Sequence, residues 1–483
     1  MPVINDIKIP YPNEAVIRSA QLSDTVCPEN SVQLAINMNF DRIGSMTTRS
    51  GVATYATTLS GSVTSFGTLN IQGGNKRLFA QVGADISVWN GTTWTSVDTA
   101  TVTTKARFSQ FLNRVWRING NAGDKPETSN GGAFDTTDVP ATLPAGDFIE
   151  AGFDGRVWIA DSAKDILYYT DIVQSVDGTT YVSPLTFDIT TNFITKFSPQ
   201  DGESITGLFR VPKALLLFKQ NHIYRIYSTS NVDPYPAYNV GTYSQESIVQ
   251  AKDGVYFHHS SGFYKFTYDS QPTEISRRVS DFVKAIPRTA YGNIVGIYDG
   301  YDAVKWSVGA LTVEGVTYSN CQMRYTLSTQ VWTIYDFADN EITALVRYDD
   351  GTTIEQIAGT ADGLVGKLDS GNTDFGTAIY YEMIDRWRSY TDMYSHSKKM
   401  GGIAVMSENG AGTLVQYQVE KTPANVWKDI GTIRNNYVAL YPNNTINDFN
   451  MMRFRVRGNS TGTPIIFNGF EILVLSDEGF DQN

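Results

Sequence analysis

The sequence predicts an all-β protein: a β-propeller of about seven blades, with an extended N-terminal arm before it and a C-terminal antiparallel β-sandwich after it. Three observations lead to this prediction. The 483 residues include 27 Tyr, 24 Phe and 41 Gly while only 18% are charged, a composition that favours short strands and tight turns over long helices. One strand–turn–strand layout recurs along most of the chain. The chain then changes character after residue 377.

The recurring layout is an apolar alternating strand, a short polar turn and a second strand rich in aromatic residues. Its copies begin at irregular steps of roughly 40 to 60 residues, as in repeat architectures. They are KRLFAQVGADISVWNGTTWTSV from Lys76, NRVWRINGNAGDKPETS from Asn113, GRVWIADSAKDILYYT from Gly155, ALLLFKQNHIYRIYS from Ala214, GVYFHHSSGFYKFTY from Gly254, DAVKWSVGAL continued by QMRYTLSTQVWTIYDF from Asp302, and TIEQIAGTADGLVGKLDSG from Thr353.

About four strands per unit with variable loops are the signature of a β-propeller, in which small sheets around an axis cover one another's faces. A pair of β-sandwiches with similar hairpins would give part of the same pattern and stays an alternative at this point. After residue 377 the strands, such as TLVQYQVEK and MMRFRVRGNSTGTPIIFNGFEILVL, are longer and alternate cleanly, which predicts an antiparallel β-sandwich.

These patterns divide the chain into an extended arm with a hairpin at 1–50, a propeller at 51–376, a β-sandwich at 377–476 and a short tail at 477–483. SDFVKAI, Ser280 to Ile286, is the predicted helix.

The predicted hairpin lies in NMNFDRIGSMTTRSG, Asn37 to Gly51. Apolar residues alternate from Ile36 to Phe40 as in a strand, and a second strand runs towards Arg49. Between them, Asp41-Arg42-Ile43-Gly44 has the Asp and Gly of a type I turn.

Charge and cysteine content restrict the function classes. The net charge is −12 with a pI near 4.9, and the sequence has no basic stripe of the kind that binds duplex DNA. An acidic wall along which DNA slides is compatible with this charge. Cys27 and Cys321 form no disulfide framework. With no signal-peptide pattern at the start and no stretch near the ~18 apolar residues of a membrane span, we expect a soluble protein that folds in a reducing compartment.

Two short motifs look catalytic or nucleotide-binding but lack the required context. GNSTG, Gly458 to Gly462, fits G-x-S-x-G, yet a predicted strand follows it and the last histidine, His396, lies upstream. We expect a hairpin loop there. GLVGKLD has the wrong glycine spacing for a phosphate loop, and Leu368 stands where Ser or Thr is required.

The histidines and one turn also predict no site. His258 and His259 are neighbours on a predicted strand and point to opposite faces, so they cannot share a metal on one face. With His222, they are expected to be surface or hydrogen-bonded polar residues. SVWNGTTW, Ser87 to Trp94, is similar to the Asp-box turn of sialidase-type propellers, but Trp89 replaces its aspartate, and no spacing predicts the paired carboxylates of a glycosidase. We therefore predict no catalytic, cofactor-binding or metal-binding residues and no enzyme activity.

Two stretches with regular Gly and Asp positions resemble a known family. In PENSVQLAINMNFDRIGSMTTRSG, Pro28 to Gly51, Ser50 stands where that family usually has proline, and the matching residues are Asn37, Asp41, Gly44, Arg49 and Gly51. In GTADGLVGKLDSGNTDFGTAIYYEM, Gly359 to Met383, they are Gly363, Asp369, Gly371, Asp374, Gly376 and Ile379. The first resembles the opening, and the second the last blade and its exit into a sandwich, of β-propeller tail proteins from short-tailed bacteriophages, the tail nozzle or tail hub class.

The resemblance implies a structural virion protein that assembles in the host cytoplasm into a homo-oligomeric ring, usually a hexamer, at the end of a short tail. The ring would bind a tail adaptor protein, hold the genome channel shut and open on host contact, with tail fibres and a host receptor as further partners. Viral DNA would pass without sequence-specific binding.

In such a ring the hairpin and its flank would tie the propeller to its neighbours. Phe40, Arg42 and Arg49 are then the predicted subunit contacts. Deleting residues 1–50 is expected to leave a folded propeller and to abolish assembly.

Two other functions stay open on the sequence. A carbohydrate-binding or carbohydrate-cleaving propeller would use exposed aromatic residues as stacking platforms, for which Trp94, Trp116 and Trp158 are candidates. A fibre-attachment or receptor-binding tail component would attach to a nozzle. Ring formation separates the nozzle from a glycan-binding monomer.

Overall fold

The computed structural model describes residues 31–477 with short gaps, and two strands nearer the N-terminus at 7–8 and 15–16. The gaps are 43–44, 72–73, 75, 101–103, 174–185, 196, 198–201, 234–237, 268–269, 390–397, 424–425, 443–445 and 461. The described residues are almost entirely strands and turns, with one short α-helix and several 3-10 turns. The predicted all-β class, with a propeller and a sandwich, is confirmed.

The N-terminal part of the chain supplies six strands. They are β1 (Ile7–Lys8), β2 (Ala15–Val16), β3 (Ser31–Ile36), β4 (Met38–Arg42), β5 (Ser45–Thr48) and β6 (Ala53–Ala56). β4 and β5 pair antiparallel, with Met38 opposite Thr48, so the predicted hairpin is confirmed. Its turn residues 43–44 lie outside the described residues.

The next part of the chain folds into seven antiparallel blades. The first four are blade 1 with β7 (Val63–Asn70), β8 (Lys76–Val82), β9 (Asp85–Trp89) and β10 (Trp94–Thr99); blade 2 with β11 (Arg107–Phe111), β12 (Arg114–Ile118) and β13 (Glu127–Ser129); blade 3 with β14 (Phe148–Ala151), β15 (Val157–Asp161), β16 (Ile166–Tyr169) and β17 (Phe193–Ile194); and blade 4 with β18 (Ile205–Val211), β19 (Ala214–Lys219) and β20 (Ile223–Ile226). One 3-10 turn, Phe153–Gly155, lies in blade 3.

Three more blades complete the ring. They are blade 5 with β21 (Val249–Ala251), β22 (Gly254–His259), β23 (Gly262–Phe266) and β24 (Thr273–Glu274); blade 6 with β25 (Val295–Tyr298), β26 (Ala303–Val313), β27 (Val316–Thr326) and β28 (Val331–Asp336); and blade 7 with β29 (Ile342–Asp349), β30 (Ile354–Thr360) and β31 (Val365–Lys367). The predicted helix is confirmed as α1 (Ser280–Ala285), and the connections that lead into blades 5 and 6 also contain the 3-10 turns Gln245–Ser247, Arg277–Val279 and Arg288–Asn293.

The N-terminal segment closes the propeller. β6 pairs antiparallel with β31 and becomes the outermost strand of blade 7, with Ala56 opposite Val365. The first strand of each blade lies innermost, and β7 packs against β29 on one side and β11 on the other. Each of the seven predicted repeats contains the second and third strands of one blade, and those of blades 1 and 6 extend into the fourth strand.

Neighbouring blades are held together by separate apolar clusters. Trp116 lies in the cluster between blades 2 and 3, and Trp158 in the cluster between blades 3 and 4. Comparable clusters lie between blades 4 and 5, 6 and 7, 7 and 1, and 1 and 2. Each sheet buries both faces because its neighbours cover them, as expected for a propeller.

The rest of the chain forms a two-sheet sandwich. Its further strands are β32 (Thr373–Asp374), β33 (Thr377–Asp385), β34 (Lys398–Glu408), β35 (Leu414–Val419), β36 (Lys428–Thr432), β37 (Tyr437–Leu440), β38 (Ile446–Phe449), β39 (Met452–Ser460) and β40 (Ile466–Asp477). One sheet has the order β37-β34-β40-β5-β4, with β1 on β40 and β38 on β34, and the other has the order β3-β33-β39-β35-β36, with β2 on β3 and β32 on β33.

The described part of residues 1–50 is not a separate arm, in contrast to the expectation from sequence. β4 and β5 extend one sheet of the sandwich, and β3 belongs to the other. β3 also pairs in parallel with β28 through Ile36 and Ile334, which joins blade 6 to the sandwich. One apolar core accordingly runs from blades 5 and 6 through α1 into the sandwich.

The GNSTG motif is not a hairpin loop. β39 lies in one sheet and β40 in the other, so the chain crosses the sandwich after Ser460 instead of turning back on the same sheet. Ser460 and Ile465 are both buried on either side of this crossing. The hairpin prediction was wrong because alternation gives the faces of two successive strands but not the sheet that each one joins.

Candidate functional site

The two stretches that carry the family resemblance meet in one buried joint between the propeller and the sandwich. The joint consists of Asn37, Arg49, Gly51 and Asp374, together with the end of β28 from blade 6. Arg49 and Asp374 are 325 residues apart in sequence. The joint therefore connects the start of the described chain to the segment that leaves the last blade.

Arg49 is the centre of the joint. Its guanidinium donates two parallel hydrogen bonds to the Asp374 carboxylate, Nη1 to Oδ1 at 2.8 Å and Nη2 to Oδ2 at 2.5 Å. The guanidinium carbon lies 4.3 Å from the centre of the Phe337 ring. The side chains of Arg49 and Asp374 are only 1% and 7% exposed. A two-pronged arginine–carboxylate pair fixes geometry as well as charge, which lysine could not do.

Asn37 connects three elements around this ion pair. Its Oδ1 accepts hydrogen bonds from Arg49 Nε at 2.7 Å and from the Asp336 backbone N–H at 3.0 Å. Its Nδ2 donates to the backbone carbonyl of Tyr380 on β33 at 2.7 Å. Asn37 has φ +56°, a left-handed conformation that asparagine tolerates better than most residues. The short amide therefore suits the backbone and the hydrogen bonds at once.

Gly51 lets two backbone segments approach closely. Its N–H donates to the Gly371 carbonyl at 2.9 Å, and its own carbonyl accepts from Ser370 N–H at 3.0 Å. A Cβ at this position would lie 2.1 Å from the Thr373 carbonyl oxygen. Any side chain at residue 51 would thus push the start of the propeller away from its end.

A second ion pair lies beside the joint. The Lys305 ammonium, which is buried in blade 6, contacts the Asp369 carboxylate, and Gln356 Nε2 donates to the same carboxylate at 3.0 Å. Burial would raise the pKa of Asp369, but Lys305 outweighs it, so the pKa lies below its ordinary value. Asp369 therefore stays charged and helps hold blade 6 against blade 7.

The three predicted subunit contacts lie elsewhere than expected. Arg49 and Phe40 are buried within their own chain, Arg49 in the joint and Phe40 in the core shared with the sandwich. Neither side chain is left on the surface for a neighbouring subunit, so these two assignments are corrected. The backbone of Arg42 belongs to β4, and its side chain lies outside the described residues.

A charged bridge crosses the propeller axis. Glu246, on the connection that enters blade 5, lies 3.6 Å from Nζ of Lys105, which precedes blade 2, and 3.2 Å from Nε of Arg107, the first residue of blade 2. Blades 2 and 5 are three positions apart in the ring, so the bridge spans the centre. Burial would raise the pKa of Glu246, but the two cations outweigh it and bring the pKa to about 2. Sequence reasoning missed this bridge because its residues fit no motif.

A second glutamate near the axis, Glu150, has its pKa shifted in the opposite direction. Glu150 on β14 faces Arg210 on β18, with Arg210 Nε at 3.6 Å from the carboxylate. Burial raises the pKa of Glu150 to about 7, and Arg210, which is itself half exposed, only partly opposes this. One cation does not compensate the burial of this carboxylate.

The histidines lie close to one another but differ in environment. His258 is buried against Phe263 and Tyr291, and its ring nitrogens have no hydrogen-bond partner among the described residues. Burial lowers the pKa of His258 to about 3, so the ring is neutral. The expectation of a surface or hydrogen-bonded residue was thus wrong for His258. It is confirmed for His259, which contacts Asn221 Oδ1 at 3.1 Å, and for His222.

Two of the three candidate glycan platforms are not available. Trp116 and Trp158 are fully buried between blades. Trp94 is partly exposed, but it packs on Trp89 with ring centres 5.3 Å apart and donates to the Thr57 carbonyl at 2.8 Å.

The described residues offer few features of other kinds of functional site. They contain no group of three or more His, Cys, Asp or Glu side chains arranged to hold a metal ion. No helix among them is both long enough and apolar enough to cross a membrane. A cavity of ≈ 380 Å³ opens beside Lys105, between Thr64 of blade 1, Gly309 of blade 6 and Thr343 of blade 7.

Comparison with known proteins gives the fold alone. No family model and no curated protein sequence matches the chain. Among solved structures, a streptogramin B lyase is similar over 66% of this chain and 97% of its own, with 16% identity and a TM-score of 0.44. Virginiamycin B lyase from Staphylococcus aureus is similar over 64% of this chain and 94% of its own, with 15% identity and a TM-score of 0.41. BamB from Moraxella catarrhalis is similar over 69% of this chain and 93% of its own, with 13% identity and a TM-score of 0.36. At these values the similarity has no bearing on function.

Proposed function

We propose that this protein is a structural component of a short phage tail, a nozzle or hub subunit that assembles into a ring around the genome channel. The observation that supports it most is the joint. The residues that match the family lie in two distant stretches, and five of them, Asn37, Arg49, Gly51, Gly371 and Asp374, contact one another or a shared backbone segment. Residues that match by chance have no reason to meet in one buried cluster.

The propeller axis leaves no room for a genome channel within one subunit. The Glu246 bridge and its cations occupy the centre of the propeller. Duplex DNA, whose major groove alone is about 12 Å wide, does not fit through such an axis. In the proposed ring the channel therefore lies between subunits, and the propeller acts as a solid wall segment. The acidic chain, with a net charge of −12, suits a wall along which DNA slides.

Electron microscopy of the purified chain, alone and mixed with the adaptor ring of the same virion, tests the proposal. We expect the mixed sample to show closed rings with a central channel. Monomers that persist beside a competent adaptor ring would contradict the nozzle assignment.

A glycan array on the same preparation tests the carbohydrate alternative. That function has less support now, because Trp116 and Trp158 are buried.

A further inference from the structure

One outer face of the sandwich carries an arginine and tryptophan cluster. Arg453, Arg455 and Arg457 alternate along β39, while the residues between them point into the core. The Arg453 guanidinium lies 4.6 Å from the centre of the Trp387 ring, and that of Arg455 lies 4.5 Å from the centre of the Trp427 ring. We call these five residues the arginine face.

The arginine face is held in a fixed arrangement by its own strands. Arg453 Nε donates to Gln418 at 2.9 Å, and Arg455 Nε donates to Gln416 at 2.8 Å. Arg455 also lies 3.3 Å from the Glu382 carboxylate. Arginine and tryptophan are enriched among the residues that dominate protein–protein interfaces, and side chains that are already ordered lose less entropy on binding.

The outer edge of blade 3 has the complementary character. Ile172, Ile189 and Phe193 are 59%, 49% and 39% exposed, which is unusual for three large apolar side chains on one edge. Asp171 and Asp188 flank them and are also exposed. We call these five residues the blade 3 edge. It combines apolar area with two carboxylates, one of which, Asp171, lies 3.9 Å from Arg156 Nη1. The arginine face combines aromatic area with three cations, one of which, Arg455, is paired with Glu382.

The two surfaces lie on different parts of the molecule, one on the sandwich and one on the propeller. The sandwich attaches to β28, the outermost strand of blade 6, and β17 is the outermost strand of blade 3. Blade 3 is three blades from blade 6 in one direction and four in the other. Two different complementary surfaces on one subunit produce head-to-tail contacts, which close into a ring or continue as a filament.

We propose that the arginine face of one subunit binds the blade 3 edge of the next copy of this chain. The inference rests on the proposed function, because the contact is the one that would build the ring. It replaces the subunit contacts predicted at Arg49 and Phe40.

Full-length variants measured by sedimentation velocity, alone over a range of concentrations and with the adaptor ring, test this contact. Ile189→Asp places a charge on the blade 3 edge, and Arg457→Glu reverses one on the arginine face. Ile354→Asp is the matched control, because Ile354 is 60% exposed on blade 7, outside both surfaces. We expect each of the first two to weaken self-association about tenfold or more and the control to match wild type. The double variant Arg457→Glu with Asp188→Arg is expected to recover part of the loss.

The outcomes separate the two proposals. If wild type assembles and both Ile189→Asp and Arg457→Glu assemble equally well, the contact is wrong while the tail function stands. If wild type forms open filaments that these variants abolish, with no ring on the adaptor, the contact stands and the nozzle function is wrong. If wild type stays monomeric under every condition, both proposals are contradicted. An unchanged melting temperature for Ile189→Asp, an exposed position, shows that its effect comes from association.

Discussion

The joint and the axis bridge are both partly or wholly buried ion clusters, and they differ in how completely their charges are matched. In the joint, the carboxylate of Asp374 accepts from both Nη groups of Arg49, and Asn37 Oδ1 accepts from its Nε–H. At the axis, Glu246 meets Lys105 and Arg107 at 3.6 and 3.2 Å, and all three side chains keep 20–25% of their surface exposed. The joint therefore acts as a fixed link, whereas the axis bridge is a looser and more exposed contact.

The pKa values of groups near the axis show how incompletely their burial is compensated. Lys105 has its pKa lowered by burial, and Glu246 only partly opposes that shift. Glu150, also near the axis, has its pKa raised to about 7. The charge of Glu150 therefore depends on pH near neutrality, and substitutions of the axis glutamates separate electrostatics from packing.

Breaking the joint has the largest expected effect. Arg49→Ala leaves the Asp374 carboxylate buried without its cation, which costs about 3–5 kcal/mol of the free energy of unfolding. Arg49→Lys keeps the charge but loses the two-pronged geometry, so it should be intermediate. Urea unfolding followed by tryptophan fluorescence measures both. Arg277→Ala is the control, because the Arg277 side chain is 80% exposed. Equal stability of Arg49→Ala and the control would contradict this account of the joint.

Gly51→Ala breaks the same joint through backbone contact. The new methyl group would meet the Thr373 carbonyl oxygen, so the start and end of the propeller must separate, at a cost of about 3 kcal/mol. Gly132→Ala is the matched control, since open space surrounds a Cβ built at Gly132. Thermal unfolding compares the two. A Gly51→Ala protein as stable as the control would show that the backbone at residues 51 and 373 can move apart without loss of stability.

Glu246→Gln weakens the axis bridge by a smaller amount. The pKa of Glu246 is about 2 in the fold against 4.5 ordinarily, so its stabilising effect is full above pH 4.5 and is lost as the pH falls towards 2. We expect the variant to be about 2 kcal/mol less stable than wild type at pH 7. That difference should shrink on acidification, which urea unfolding at several pH values measures. A difference independent of pH would indicate a packing effect instead.

We expect Glu150→Gln to have the smallest effect on the free energy of unfolding, and to increase it where the other substitutions decrease it. Because the pKa of Glu150 rises from 4.5 to about 7 on folding, the wild type loses stability as the pH rises through this window. The amide carries no charge to bury, so the variant is expected to be about 1–2 kcal/mol more stable than wild type at pH 8 and similar at pH 4. Melting temperatures at both pH values check this, and a loss of stability at pH 8 would show that the Arg210 contact dominates.

Much of the propeller could be predicted from sequence because the second and third strands of each blade repeat with clear alternation. The hairpin from Met38 and the helix at Ser280 follow from local patterns in the same way. The joint could not be predicted as a contact, although Arg49 and Asp374 were both singled out. Nothing local relates two residues 325 positions apart.

The place of the N-terminal strands was missed for a related reason. The residues of β3, SVQLAI, alternate as any strand does, and alternation does not name a partner strand. The structure also changes what a deletion of residues 1–50 would report. Deleting residues 1–50 would remove β3, β4, β5 and Arg49 from the core and the joint, so loss of assembly by that truncation would not report on a subunit contact.

The mass of the particle that forms on the adaptor ring tests the tail assignment most directly. Mass photometry of the adaptor ring, before and after addition of the 53.4 kDa chain, gives the number of subunits bound. We expect a single new species heavier by a fixed whole number of chains, about six for a ring of the usual kind in the family that the sequence resembles. An adaptor ring whose mass does not change in the presence of excess folded chain would contradict the assignment.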